Sequence, residues 1–249
     1  MRWCVGVRNS FDHRRRRPGY GLLRTAFWDA CAQVCQSTMS WRYRYRVEGA
    51  HLVPKTGALI FIGNHQSYLD PVIHGLAVSD RPSRPMAKEE LFRNPIFGAV
   101  LRAVGAIPVR PERGNRDAFR AALAELEAGR TVMIYPEGGR SMDGSVQPFQ
   151  RGVELLARKS GAAIVPMGID GAYDIWSPHA SLPTWNGRIW AAIGTPIDPA
   201  QQAILFQDVE AGLEELRSRV RALMLRCRSQ LRARSDGAFP AHGVADHGT

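Results

Sequence analysis

No stretch of this 249-residue chain approaches the roughly 18 consecutive apolar residues that a membrane-spanning helix needs. The longest apolar segment, PIFGAVLRAVGAIPV at 95–109, is interrupted by Arg102. The amino terminus also lacks the compact apolar core and small-residue cleavage site of a secretory signal. The expectation is therefore a cytoplasmic protein that touches a membrane without crossing it. Cysteine is scarce, and Cys4, Cys31, Cys35 and Cys227 show no paired metal-ligand spacing. Cys31 and Cys35, four apart, share one helix face and read as small packing residues, so nothing demands an oxidising compartment. There is no Walker A loop, no GxGxxG, no GxSxG elbow and no HExxH, which removes the common nucleotide, hydrolase and zinc-peptidase readings. No internal repeat is visible. Aromatic residues make up only 8% and no nucleic-acid motif stands out, which weighs against a nucleic-acid partner.

Positive charge is abundant. The formal net charge of +10 favours anionic partners, and most of the excess lies at the two ends. RRRR at 14–17 and WRYRYR at 41–46 load the front, and LRSRVRALMLRCRSQLRAR at 216–234 loads the back. Hydrophobic residues, at 45%, suffice for one sizeable core.

The periodicity alternates between strand and helix. Residues 21–41 read as an amphipathic helix with Leu23, Phe27, Ala30, Cys31 and Val34 at helical spacing, able to pack on the core or lie on a membrane. Strands are expected at 45–49, 57–63, PMAKE, 105–110, 131–136, 162–169 and 187–194. Helices are expected at 68–78, NPIFGAVLRAV, 116–129 and 148–161, with one long arginine-rich helix over 200–233. This order predicts an α/β fold with a largely parallel central sheet flanked by helices. Residues 1–40 form a basic N-terminal segment, 41–233 the main domain, and 234–249 a disordered tail.

FIGNHQSYLDP at 61–71 carries the first chemical signal. A buried strand ends in Asn64 and His65, and Asp70 follows five residues later. In a continuous helix positions five apart lie about 140° apart round the axis, so the two would not meet. They meet if His65 sits in the loop and Asp70 at the helix start, with either Ser67 or Asp70 itself as the cap. A carboxylate on one ring nitrogen leaves the other free to take a proton, as a general base does. No serine elbow or nearby cysteine supplies a nucleophile, so the substrate's own hydroxyl is the simplest one. A capping aspartate beside a loop histidine, and a two-ligand metal site, remain open on these residues alone.

Two more strand ends repeat the pattern. IYPEGGRS at 134–141 gathers Glu137, Arg140 and Ser141 with Gly138 and Gly139, and GAIPVRPERGNR at 105–116 delivers Arg110, followed by Arg113 and Arg116. Glycines permit close backbone approach and arginine can clamp phosphate. Strand ends converge on one edge of an open α/β sheet, where ligands bind.

In this order the motifs resemble the glycerolipid acyltransferase family, the 1-acyl-sn-glycerol-3-phosphate acyltransferases and their relatives. NHQSYLD at 64–70 matches N-H-x4-D, GAIPVR its second block, YPEGGRS at 135–141 the F-P-E-G-T-R-S block, and IVPMGI at 164–169 the fourth. The resemblance spans about residues 45–200. It implies that His65 deprotonates the acceptor and Asp70 orients it. It further implies that Arg110, Glu137, Gly138, Gly139, Arg140 and Ser141 form the acceptor site, and that Pro166 shapes the acyl groove. The partners implied are a lysophospholipid acceptor, an acyl-CoA or acyl-carrier-protein donor and an anionic membrane surface on the inner face of the cell membrane. No acyl-enzyme, metal or cofactor is implied. Gly139 stands where the family block has threonine and Tyr135 where it has phenylalanine, and the first helix is less apolar than in relatives. Another lysolipid, an ornithine lipid or a glycolipid is an alternative acceptor. A basic lipid- or nucleic-acid-binding protein is the non-enzymatic alternative.

Overall fold

The computed structural model describes residues 22–81, 83–103, 105–109 and 116–247. The basic stretch 1–19, Arg110 and Arg113 lie outside the described residues.

Helix α1 (Leu22–Tyr43) leads into β1 (Arg46–Glu48), then β2 (Leu59–Gly63) and α2 (Asp70–Ala77). Next come β3 (Arg84–Lys88), α3 (Pro95–Ala103), β4 (Ile107–Val109), α4 (Arg116–Glu127) and β5 (Thr131–Ile134). Helix α5 (Gly152–Ser160), β6 (Ala163–Asp170), α6 (Ala172–Trp176) and β7 (Trp190–Ile193) follow. The chain closes with α7 (Pro199–Leu205), α8 (Val209–Ala233) and α9 (Val244–His247).

The seven strands form one sheet in the order β1-β7-β6-β2-β5-β3-β4. Every neighbouring pair is parallel except β6 and β7. Central β2 is buried along its whole length, as expected of a strand with both faces covered, and this explains its unbroken apolar run. Its side chains alternate between faces. Ile60 and Ile62 meet Ala122 and Leu126 of α4, Leu156 of α5, and Leu216, Val220 and Met224 of α8. Leu59 and Phe61 join Ile73 of α2, Ile175 of α6, and Tyr43 and Tyr45 at the end of α1. Because β2, β5, β3, β4 and β6 run parallel, their carboxyl ends share one edge of the sheet.

The second half of α1 packs Ala32, Cys35 and Met39 on that second cluster, so it serves the core as well as presenting an outer face. Among the described residues no helix is long and apolar enough to cross a membrane.

Two expectations are corrected. The single helix over 200–233 is two helices. Asp198 and Gln201 form a capping box that starts α7, and Asp208 restarts the chain by accepting the Glu210 and Ala211 N–H groups. Gly212 lets the turn close, because a Cβ there would strike the Leu205 carbonyl. The expected disordered tail is ordered through His247. Arg232 holds Asp246 at 2.6 Å and the Pro240 carbonyl at 3.1 Å, and Ala245 is buried. Arg228, within the basic run at 216–234, is buried and forms a two-point pair with Asp170 at 2.8 and 3.2 Å. Its third nitrogen reaches Asp246 at 3.3 Å, which ties the tail to the sheet. Buried charges persist only when paired in this way.

Candidate active site

Strand β2 ends at Gly63, and the loop that follows is held by side chains. Asn64 is buried and pairs with the Ile169 backbone of β6 as an amide would, donating at 3.0 Å and accepting at 2.9 Å. Gln66 adds a bond to the same carbonyl at 3.2 Å. Helix α2 begins at Asp70 with Leu69 as its cap, so neither Ser67 nor Asp70 is the cap residue. The Asp70 carboxylate instead turns back on the loop. Its Oδ2 accepts from His65 Nδ1 at 2.7 Å, from the Gln66 N–H at 2.6 Å and from the Ser67 N–H at 2.7 Å. Ser67 is itself occupied, donating its hydroxyl to the Trp176 carbonyl at 2.8 Å.

Asp70 is fully buried, whereas the His65 side chain is 19% exposed. With Nδ1 on the carboxylate, Nε2 is the nitrogen left for a substrate. Burial pushes Asp70 up, and His65 and the two main-chain N–H groups pull it back toward the ionised form.

The loop after β5 clasps the same histidine. Glu137 accepts the His65 N–H at 2.7 Å through Oε1 and the Gln147 N–H at 3.0 Å through Oε2. Ser141 donates its N–H to the His65 carbonyl at 2.7 Å. Both main-chain groups of His65 are therefore fixed by the neighbouring loop. Burial pushes Glu137 up to about 8, opposed by those two N–H donors. Ser141 directs its hydroxyl at Asp143, 2.9 Å away, and so holds the loop. Gly138 has φ +77, and a Cβ there would run into Gln150. At Gly139 a Cβ would meet nothing within 4 Å, so the missing side chain leaves open space beside Glu137.

Arg140 lies over the Tyr68 ring, its guanidinium carbon 3.6 Å from the ring centre. Its Nη1 is buried without a hydrogen-bond partner. Tyr68 in turn leans on Trp176 at 5.0 Å. Pro166 sits inside the sheet, paired with Ile62, and its carbonyl accepts the Gly194 N–H at 2.9 Å. Strand β4 ends at Val109 on the shared edge. Among the described residues no group of three or more His, Cys, Asp or Glu is placed to hold a metal ion.

Thus the structure brings His65, Asp70, Glu137, Gly138, Gly139, Arg140 and Ser141 together and places Pro166 in the sheet. It also gives Tyr135, noted above only as a departure from the family block, a place beside the base, and it adds His74, which the motifs did not single out. Tyr135 stacks on His65 with centroids 4.1 Å apart and planes at 21°. His74, fully buried, meets the Tyr135 hydroxyl through Nδ1 at 3.1 Å. The spacing of four between Asp70 and His74 was the available signal, since it places both on one face of α2.

The Acyltransferase family profile matches residues 44–170. A chloroplastic 1-acyl-sn-glycerol-3-phosphate acyltransferase of Arabidopsis thaliana is 27% identical over 70% of this chain and 49% of its own length. The 1-acyl-sn-glycerol-3-phosphate acyltransferase of Bacillus subtilis is 26% identical over 78% of this chain and 94% of its own. The chain spans about half the length of the plastid relatives from Arabidopsis thaliana and Brassica napus. The crystal structure of PlsC, the 1-acyl-sn-glycerophosphate acyltransferase of Thermotoga maritima, superposes with a TM-score of 0.69 at 27% identity. It covers 90% of this chain and 88% of that one.

The second histidine makes stability depend on pH. Burial, with His65 nearby, lowers His74 from 6.5 to about 3. Its folded value is depressed, so below 6.5 the unfolded chain takes up the proton first and the folded state loses stability as pH falls. From pH 7.5 to 5 this group should remove about 2 kcal/mol of unfolding free energy. Denaturant melts of wild type and His74→Gln at both pH values should show that extra loss in wild type alone.

Proposed function

The chain belongs to the acyltransferase family, and on that premise we propose that it transfers a fatty acyl group to the free hydroxyl of 1-acyl-sn-glycerol 3-phosphate, forming phosphatidic acid. The donor is a thioester, acyl-CoA or acyl-carrier protein. The observation that carries the reading is the His65–Asp70 pair, clasped by Glu137 and Ser141 at the carboxyl edge of the sheet.

The chemistry follows from that geometry. His65 Nε2 takes the proton from the acceptor hydroxyl as its oxygen forms a bond to the thioester carbonyl carbon. The positive charge on the ring is balanced by Asp70, which also fixes the tautomer. Collapse of the tetrahedral intermediate breaks the C–S bond, and the imidazolium returns its proton to the departing thiolate. Transfer is direct, without an acyl-enzyme. Ser67 donates its hydroxyl to a carbonyl, and Cys227 is buried with its thiol on the Gly168 carbonyl. Arg140 holds the acceptor phosphate with the donors left free by its stack on Tyr68. Arg110 is assigned the same task by its place in the motif.

A lipid substrate calls for a lipid-facing surface, and we assign one at the end of α1. Trp41 and Trp185 are exposed by 82% and 77%, and Leu182 by 77%. Arg42 lies 4.8 Å over the Trp185 ring, and Tyr43 donates to the Thr184 carbonyl at 3.1 Å, so helix and loop form one patch. Indole rings with arginine suit the headgroup layer of an anionic membrane. The protein then acts as a peripheral protein on the inner face of the cell membrane. The open space at Gly139 favours a second reading, in which a bulkier lysolipid, ornithine lipid or glycolipid headgroup is accepted at the same base.

His65→Ala should lower turnover by roughly 10²–10⁴, with Asp70→Asn also severely impaired. Thiol release from acyl-CoA with lysophosphatidic acid reads both, and folded His65→Ala protein with near-native turnover would sink the mechanism. Arg140→Ala should lower kcat/KM for lysophosphatidic acid about 10- to 100-fold more than for a phosphate-free monoacylglycerol. An unchanged ratio of the two would move the assignment to the second reading. Replacing Trp185 and Leu182 together with serine should reduce flotation with vesicles containing anionic lipid. Equal flotation would remove the patch from the membrane surface.

A further inference from the structure

Three rings from three chain segments are layered behind the catalytic edge. His65 lies in the loop after β2, Tyr135 follows β5, and His74 stands on α2. The Tyr135 ring covers the face of His65 at 4.1 Å. Its other neighbour is His74, at 5.5 Å and 47°. The Tyr135 hydroxyl is fastened to His74 Nδ1 at 3.1 Å. Gly63 makes the arrangement possible, because a Cβ at that position would collide with the His74 imidazole.

From this layering we propose that Tyr135 and His74 form a positioning pair for the base, with Asp70 holding the edge of the His65 ring, Tyr135 holding its face and His74 anchoring Tyr135. The inference rests on the reading of His65 as the base. A single hydrogen bond from Nδ1 to Asp70 leaves the imidazole free to roll about that bond. A roll of that kind swings Nε2 away from the acceptor hydroxyl. A stacked ring whose own hydroxyl is anchored suppresses it, and sites must be held this closely to be productive.

The stack also bears on charge. When His65 accepts the proton, the positive charge on its ring lies against the π face of Tyr135, an attractive contact. The titratable groups facing it are Asp70 and His74 from α2, and Tyr135 and Glu137 from the loop after β5. Burial keeps His74 neutral at any working pH, so no second cation stands behind the ring. A histidine there therefore anchors the tyrosine without opposing the imidazolium.

The test uses the full chain with lysophosphatidic acid and acyl-CoA. Tyr135→Phe keeps the stack and loses the anchor. It should lower kcat roughly threefold to tenfold, leaving the acceptor KM within about twofold. Tyr135→Leu removes the stack as well. It should lower kcat further and move the acid limb of the kcat/KM profile down by roughly half a pH unit. Tyr135→Phe combined with His74→Gln should be no slower than the slower single variant, because hydroxyl and imidazole act through one bond. Thermal melts establish that each variant is folded, and Tyr135→Phe carries the test if Tyr135→Leu is not. Wild-type kcat in Tyr135→Phe, an unmoved acid limb in folded Tyr135→Leu, or multiplying losses in the double variant would each overturn the inference. Such a result alongside inactive His65→Ala would overturn the pair and leave the base in place. Active His65→Ala would remove both.

Discussion

One carboxylate oxygen organises the loop at the carboxyl edge of the sheet. Asp70 Oδ2 receives the His65 ring and the Gln66 and Ser67 N–H groups within 2.7 Å. Three donors on one buried acceptor convert a flexible loop into a fixed turn and aim the histidine in the same act. Burial opposes the ionised form that those bonds require, so the turn and the charge stabilise each other. Placing the acid in the first turn of α2 adds the favourable end of the helix dipole.

Around that centre the loops are cross-tied through the main chain. Glu137 and Ser141 fix the His65 amide and carbonyl from β5, and Asn64 and Gln66 fix the other side on β6. A parallel sheet makes this economical in chain, since the ends of β2, β5 and β6 already lie side by side. The residues assigned to ligand can then act from a frame that does not rely on them. Arg140 is the clearest case, supported by an aromatic ring and not by a carboxylate.

The arginines divide into different roles. Arg228 is buried against Asp170, Arg232 binds Asp246, and Arg84 and Arg130 share Glu125. Arg81 reaches the Pro54 and Gly57 carbonyls. These cations hold the fold. Arg42 on Trp185 and Arg140 on Tyr68 are instead presented on aromatic faces near the surface. The net charge of +10 therefore describes several structural pairings together with a smaller set suited to anionic ligands.

The sequence by itself determined the alternation of strands and helices, the buried β2 and the chance that His65 could meet Asp70. Each depends on periodicity or on residues a few positions apart. It also located Glu137 and Arg140 at a strand end, but their partners were not legible. Tertiary structure decided that Glu137 grips the His65 backbone, that Tyr135 reaches His74 across 61 positions, and that Arg228 reaches Asp170 across 58. It also decided that the helix expected over 200–233 breaks at Asp208 and that the tail is ordered. The physical reason is register. Local hydrogen bonds and hydrophobic period are set by neighbours along the chain, whereas a buried polar partner is chosen by which strand ends the packed sheet brings side by side.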